Sequence, residues 1–446
     1  MEEKVKLTIL LLLFIAIPMA LFGEEAHMRL TMERAVELAL ENNKNFQISR
    51  EEVKQYKYRL KQNLAFLPDV TLEGFKNLDE KLMELEMPAA YPGAPPQTVT
   101  IDFTKNYEFT LQIVQPLFAG GKILFPYKNA RLDLAIAREN RENTRRDVIL
   151  QVKKGFLNIL VLKELLKAHR EALQLAETTY KNVTENFNLG MASKYDLLRA
   201  ELAVTSIKPN LLNVQKLLRL ALLNLKFMTG IPDGTEIDVD GELGYSKHTL
   251  DLADLIQKSL ANRFELHQLE TEMKKTANLL LMAYGQFLPN ISLVASYSYR
   301  SDNFRFGKDA WEDYYTINLG ISFPIFNHNR RSAQVGELRV LKKILALNYD
   351  LLKDATKLEI ENLHLTIKEE YQNIQAGLKN METADEGVRI AKLSYDEGLI
   401  SILELNASLN ELTKAKVAFF QAVYNYNIAA AEIEKITGIK INGGSE

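Results

Sequence analysis

Gln115-Pro116-Leu117-Phe118 returns later in the chain as Phe323-Pro324-Ile325-Phe326, and the two prolines are 324 − 116 = 208 residues apart. The same interval separates Phe187-Asn188-Leu189-Gly190 from Tyr395-Asp396-Glu397-Gly398, and Thr229-Gly230-Ile231 from Thr437-Gly438-Ile439. One constant offset means that no net insertion separates these landmarks. The chain reads as one structural unit written twice, and a long internal repeat fixes architecture before any short motif does.

Upstream the offset changes. Phe66-Leu67-Pro68 matches Phe287-Leu288-Pro289 at 221 residues, so the first copy carries 13 additional residues between Pro68 and Pro116. They are expected in Met87 to Gln97, MPAAYPGAPPQ, whose prolines and glycine favour a loop. The predicted organisation is an export signal over 1–23, a first repeat over 24–231, a connector over 232–249, a second repeat over 250–439 and a tail over 440–446. The signal rests on Lys4 and Lys6 followed by an apolar run from Ile9 to Phe22, too short to span a bilayer comfortably.

Each copy predicts a helix, two strands and two long helices. Val148, Val152, Gly155, Ile159, Leu162, Leu166, His169, Leu173, Ala176, Tyr180, Val183 and Phe187 step by alternating four and three residues. Leu197, Ala200, Val204, Ile207, Leu211, Val214, Leu218, Ala221, Leu225 and Met228 do the same, as do Ile360 to Tyr395 and Leu405 to Ile436 less strictly. Sustained heptads of this kind pack as coiled coils. A helix from Ile123 to Asn188 would be about 100 Å long at 1.5 Å per residue, far more than a compact domain needs. Gly190 and Gly398 stand where each long helix should turn back.

The strand candidates alternate. Tyr107, Phe109, Leu111 and Ile113 share one face; Ile291, Leu293, Ala295, Tyr297 and Tyr299 share another; Tyr315, Ile317, Leu319 and Ile321 a third; Val70 to Phe75 is a weaker fourth. Runs of this length suit apolar-out, polar-in barrel strands, and Trp311, Tyr314 and Tyr315 suit a membrane interface. Four strands cannot close a barrel, since the smallest well-filled barrels need about eight. Two copies would supply eight strands and three would supply twelve, a choice that sequence physics leaves open. The fold class expected is mainly α with a small membrane β-barrel portion.

The composition narrows the function. A net charge of −3, from 55 basic and 58 acidic residues, gives no basic footprint for nucleic acid. Cysteine is absent, which excludes disulfides, thiolate metal sites and a cysteine nucleophile. The six histidines form no tight ligand pair, Gly120-Gly121-Lys122 lacks the spacing of a phosphate loop, and no paired catalytic constellation is present. No enzyme, cofactor or metal is expected.

With these residues in hand the chain resembles the TolC family of outer-membrane efflux channels. The resemblance runs through Leu30-Thr31-Met32-Glu33-Arg34-Ala35, Phe66-Leu67-Pro68, Val114 to Lys122 and Phe187-Asn188-Leu189-Gly190-Met191-Ala192-Ser193. It implies a homotrimer with one shared 12-stranded barrel in outer-membrane lipid and a helical tunnel through the periplasm. It also implies passive export in a tripartite efflux or type I secretion system, with a periplasmic adaptor protein and an inner-membrane pump as partners.

The resemblance places the periplasmic tips at Leu189, Gly190, Met191, Ala192 and Ser193, and at Gly398, Leu399 and Ser401, where the adaptor would dock. It places the gate at Tyr195, Asp196, Tyr395 and Glu404, with an Asp196–Tyr395 hydrogen bond as the lock and Glu404 as an acidic constriction. Ile400 stands at the family's gate-locking arginine, and Ala407 replaces a second acidic residue. Asp196 and Glu404 also lie in first turns of helices, where the macrodipole alone favours an acid. The rival readings are a periplasmic coiled-coil adaptor or scaffold without a channel, which does not account for four alternating strands at matched positions, and a secreted adhesin-like trimer.

Overall fold

The computed structural model describes residues 28–64, 66–76, 78, 82–87, 91, 97–102, 107–301, 304–305 and 311–441. The expected export signal and the end of the tail lie outside these residues. The chain divides into two compact units, each drawing on both halves of the sequence: one comprises 1–51, 140–264 and 352–446, the other 52–139 and 265–351.

The first half runs β1 (Met28–Leu30), α1 (Met32–Asn42), α2 (Lys44–Gln62), β2 (Asp69–Lys76), β3 (Leu82–Met87), β4 (Gln97–Asp102), β5 (Tyr107–Phe118), α3 (Leu124–Asn188) and α4 (Lys194–Thr229). After β6 (Ile237–Val239) the second half runs α5 (Leu252–Asn262), α6 (Phe264–Gly285), β7 (Asn290–Ser301), β8 (Glu312–Ser322), α7 (Arg330–Asp396) and α8 (Ile402–Thr437). Helices α4 and α8 begin and end 208 residues apart.

One expectation needs correction. Each half opens with two helices rather than one. Asn43 takes an extended conformation at φ −62° and ψ 124°; its N–H closes α1 on the Ala39 carbonyl, and its side-chain oxygen accepts from the N–H groups of Asn45 and Phe46 to start α2. Arg263 breaks the second half in the same way at φ −71° and ψ 113°. The loop expected in Met87 to Gln97 falls mostly on 88–90 and 92–96, outside the described residues; on either side of it β3 and β4 pair antiparallel.

In the first unit, α3 packs on α4 through Val148, Val152, Phe156, Ile159 and Leu225, sealed by Leu30, Ala35 and Ala39 from β1 and α1. The second half repeats this with Ile360, Leu363, Ile367 and Ile374 of α7 against Val423, Tyr426, Ile433 and Ile436 of α8, sealed by Leu255 of α5. Apart from Phe156 and Val423, the long-helix residues named are heptad positions, and their burial comes from packing rather than from helix propensity, as helices of this length require. Pro209 lies inside α4, which continues through it. Among the described residues no helix is long and apolar enough to cross a membrane.

In the second unit the strands form one antiparallel sheet in the order β2-β5-β7-β8. Register puts Leu72, Leu111, Tyr297 and Tyr315 in one row and Val70, Ile113, Ala295 and Ile317 in another, so these rows are apolar from edge to edge, while the next row on that face ends at Asp313, which accepts from the Tyr297 hydroxyl. The opposite face carries Thr71, Gln112, Ser296 and Thr316, then Glu73, Thr110, Ser298 and Tyr314, then Phe75, Glu108, Arg300 and Glu312. Hydroxyls bridge this polar face at 2.8 Å between Thr110 and Ser298 and at 2.7 Å between Ser296 and Thr316. The Arg300 guanidinium donates to Glu108 at 3.2 Å and lies over the Tyr314 ring. At one end Phe109, Tyr299, Phe304 and Trp311 cluster edge-on and stacked.

Candidate functional site: the helix tips and the open sheet

Helix α3 ends through a six-residue ring and a left-handed residue. Met191 N–H donates to the Asn186 carbonyl at 2.8 Å, Gly190 N–H to Phe187 at 3.0 Å, and Gly190 sits at φ +76°. Helix α7 ends identically, with Leu399 N–H on Ser394 at 2.8 Å, Gly398 N–H on Tyr395 at 2.9 Å and Gly398 at φ +73°. This is the Schellman arrangement, and only a residue without Cβ enters it at no steric cost.

Both turns then start the next helix with a reciprocal cap. Asp196 N–H donates to Ser193 Oγ at 3.1 Å, while the Asp196 carboxylate accepts from the Ser193 hydroxyl at 2.6 Å and N–H at 3.3 Å. At the second tip Glu404 N–H donates to Ser401 Oγ at 3.3 Å, and the Glu404 carboxylate accepts from the Ser401 N–H at 2.8 Å and hydroxyl at 2.9 Å. The Ser401 N–H, with the hydroxyl second, holds the Glu404 carboxyl below the usual glutamate range. The two acids therefore perform a capping duty that the sequence pattern S-x-x-D/E could have announced.

The expected lock between Asp196 and Tyr395 is not formed among the described residues, because the Asp196 carboxylate is turned onto Ser193. Tyr395 instead packs with Tyr180, Ala192 and Leu197 against the buried Val183, Ala200 and Ile402. Burial, and after it the charges of Asp196 and Asp396, push its hydroxyl pKa up. Asp196 is thus close enough to be felt electrostatically without being bonded. Tyr195 is exposed, and its hydroxyl accepts from Arg199 Nε at 2.8 Å.

The outer surface of the turns is apolar. Leu189, Met191 and Leu399 are 70%, 69% and 71% exposed, with Leu198 and Leu403 beside them. Behind the tips a groove of about 240 Å³ opens between α4 and α8, lined by Arg199, Leu202, Ser206, Leu403, Asn406 and Asn410. Sequence reading missed this groove, since neither helix marks it by periodicity alone. It also missed the Glu108–Arg300–Tyr314 group, whose members become neighbours only through strand register.

The second feature is the sheet itself. Among the described residues β2 and β8 are the edge strands of the sheet, and both present exposed apolar side chains, Val70 and Leu72 on one and Tyr315, Ile317, Leu319 and Ile321 on the other. An apolar sheet with open edges is stable in lipid only if those edges find partners.

Comparison with known proteins fits this geometry. The chain is 21% identical over 394 residues to the probable efflux pump outer membrane protein TtgC of Pseudomonas putida, covering 87% of this chain and 78% of that protein. It is 21% identical to nodulation protein T of Rhizobium leguminosarum bv. viciae, of whose length it spans 58%, the match covering 62% of this chain. The solved CmeC outer membrane channel of Campylobacter jejuni superposes with a TM-score of 0.78 at 17% identity, covering 96% of this chain and 92% of that one. A family profile described as outer membrane efflux protein matches residues 35–231 and 255–439, and the chain belongs to that family.

Proposed function

We propose that this chain is one subunit of a homotrimeric outer-membrane channel, the passive exit duct of a tripartite efflux or type I secretion system. It resides in the outer membrane with a large periplasmic helical portion, and works with a periplasmic adaptor protein and an inner-membrane pump. It carries no catalytic step of its own. The observation that carries the reading is the four-stranded sheet, largely apolar on one face and, among the described residues, open at both edges. Three copies joined β8 to β2 give a closed ring of twelve strands with the apolar face to lipid and the Glu108–Arg300 face to the lumen.

On this reading the turns at 189–193 and 397–401 are the periplasmic tips. Tyr195, Asp196, Tyr395 and Glu404 form the gate region, and Leu189, Met191, Leu399 and their neighbours meet the adaptor. The Asp196–Tyr395 lock belongs to a state in which Asp196 leaves its cap. Glu404 carboxylates gathered on an axis would favour cations. Replacing Glu404 by Ala is expected to reduce cation preference in planar-bilayer recordings, and unchanged selectivity would remove Glu404 from the constriction. The channel reading as a whole is tested by fractionation and an unboiled gel. A heat-labile trimer in the outer membrane is expected, and a monomer in the periplasmic fraction would return the chain to the adaptor or scaffold class.

A further inference from the structure

Helix α7 starts on a buried positive charge that has no partner. Arg331, its second residue, is 6% exposed, and its Nη2 is buried without a hydrogen bond. The guanidinium lies over the Phe287 ring at 5.5 Å, and among the described residues it has neither a hydrogen bond nor an ion pair. A guanidinium brings five donors, and burying it with none of them satisfied is costly. The fold does not ask for this charge. Moved by the 208-residue offset, Arg331 corresponds to Ile123, and the backbone agrees: Gly120 and Gly121 at φ 55° and 86° match His328 and Asn329 at φ 54° and 62°. The first half therefore makes the same strand-to-helix turn with a half-buried Ile123 in that place. An apolar side chain suffices for the turn, and the guanidinium is an addition of the second half.

Around Arg331 the helix start is open as well. The Arg330 N–H donates to the Asn327 carbonyl and the Ala333 N–H to the Asn329 carbonyl, both at 3.1 Å, whereas the N–H groups of Arg331 and Ser332 between them have no acceptor among the described residues. These donors stand at the positive end of a helix of 67 residues, which favours an anion. The guanidinium adds what a helix start alone lacks, a planar fork that matches two phosphate oxygens. The turn also lies at the margin of the apolar sheet face. Phe118, Ile291 and Ile321 form the last row of that face, and the segment from there to Arg331 exposes Phe323, Ile325 and Phe326. With that face in lipid, the row ends the lipid-facing band on its helical side, so the turn stands at headgroup depth.

We propose that the Arg331 guanidinium, with the backbone N–H groups of Arg331 and Ser332, binds the phosphate of a phospholipid headgroup, one per subunit. This rests on the outer-membrane channel reading and goes beyond it by naming a lipid ligand and the residues that hold it. A free phosphate ion shares the chemistry of the headgroup, but the exposed Phe323, Ile325 and Phe326 beside the site favour a ligand that also carries acyl chains. Bound there, the phosphate neutralises the buried charge and accepts from donors that the chain itself leaves open. The first half, with Ile123 in place of the arginine, has no such site.

The test uses the full-length trimer, stripped of lipid and held in an uncharged detergent. Phosphatidylglycerol, a diacylglycerol with the same chains and inorganic phosphate are each titrated, and bound molecules are counted by native mass spectrometry. Wild type should hold one phosphatidylglycerol per subunit and prefer it to the diacylglycerol roughly tenfold or more, as a charge-assisted contact requires. Arg331→Ile, which installs the residue of the first half, should assemble normally and lose that preference. Equal retention of the two lipids by wild type, or an undiminished preference in Arg331→Ile, overturns the site. Inorganic phosphate bound as tightly as phosphatidylglycerol overturns the lipid assignment. Should Arg331→Ile not assemble, Arg331→Gln removes the charge while keeping a polar side chain and gives the same comparison. Loss of assembly in both variants, with or without lipid, places the guanidinium in a subunit contact and overturns the site. A wild-type protein that yields no trimer from the outer membrane overturns the channel reading instead.

Discussion

At the scale of single residues, the junction between sheet and helix is the least forgiving place in the second unit. A Cβ on Gly285 would lie 1.7 Å from the Gly120 carbonyl oxygen, backbone that cannot swing aside. Gly285→Ala is therefore expected to destabilise by about 1–3 kcal/mol or more, seen as a lower temperature for trimer dissociation on semi-native gels. The turn itself was legible in Gly120-Gly121. So was its counterpart, Asn327-His328-Asn329, where His328 and Asn329 take the same left-handed backbone at φ 54° and 62°. Asn and His are among the side chains that tolerate this region best. Glu404 gives a second prediction. Its folded pKa lies below the ordinary glutamate value of 4.5, so its charged-cap contribution is complete above that value and is lost as pH falls through the depressed one. The stability difference between wild type and Glu404→Gln should be constant near neutrality and shrink on acidification below pH 4.5; a difference that grew instead would show that the carboxylate is repelled rather than held.

At the scale of elements, the strands separate two environments that alternate residue by residue. Leu319 lies on the apolar face, opposite Leu293, and Asn318 lies on the polar face, opposite Val294. Leu319→Arg is expected to cost about 2–4 kcal/mol near the bilayer midplane, whereas Asn318→Arg faces water. The first should abolish assembly into the outer membrane while the second leaves the trimer and alters only conductance; equal tolerance would mean that the two faces are not lipid and lumen. The strong alternation of β5, β7 and β8 was readable because half their residues meet one solvent throughout. β2 was weaker, since Phe75 stands on the polar face and Gly74 and Lys76 on the apolar one, and only pairing to β5 assigns its faces. The hairpin of β3 and β4 escaped notice behind its proline-rich connection, although Met83, Leu85 and Met87 alternate with Glu84 and Glu86. The split of α1 from α2 could have been read from Asn43, a natural cap; the matching split at Arg263 carries no comparable mark.

At the scale of the whole molecule, duplication was legible because a constant offset needs no knowledge of structure, whereas contacts between the halves were not, because heptads specify that helices pack without specifying which. The tips show what duplication leaves to specificity. Their backbone is the same in both halves, a Schellman turn followed by a reciprocal cap, so differences in recognition must come from the side chains mounted on it. Met191 and Leu399 are held outward by that backbone and touch no core. Covering one such side chain is worth about 1.5–3 kcal/mol, so losing two and placing charges against an apolar partner should weaken adaptor binding by roughly 100-fold or more. Met191→Asp combined with Leu399→Asp should therefore give a trimer of normal yield and heat lability that no longer co-purifies the adaptor, in cells as sensitive to exported compounds as a strain without the channel. The trimer arm matters, because a folding defect would lose both properties together. An intact trimer that still retains its adaptor would move the docking surface off the turns and onto the groove lined by Arg199, Leu202 and Asn406.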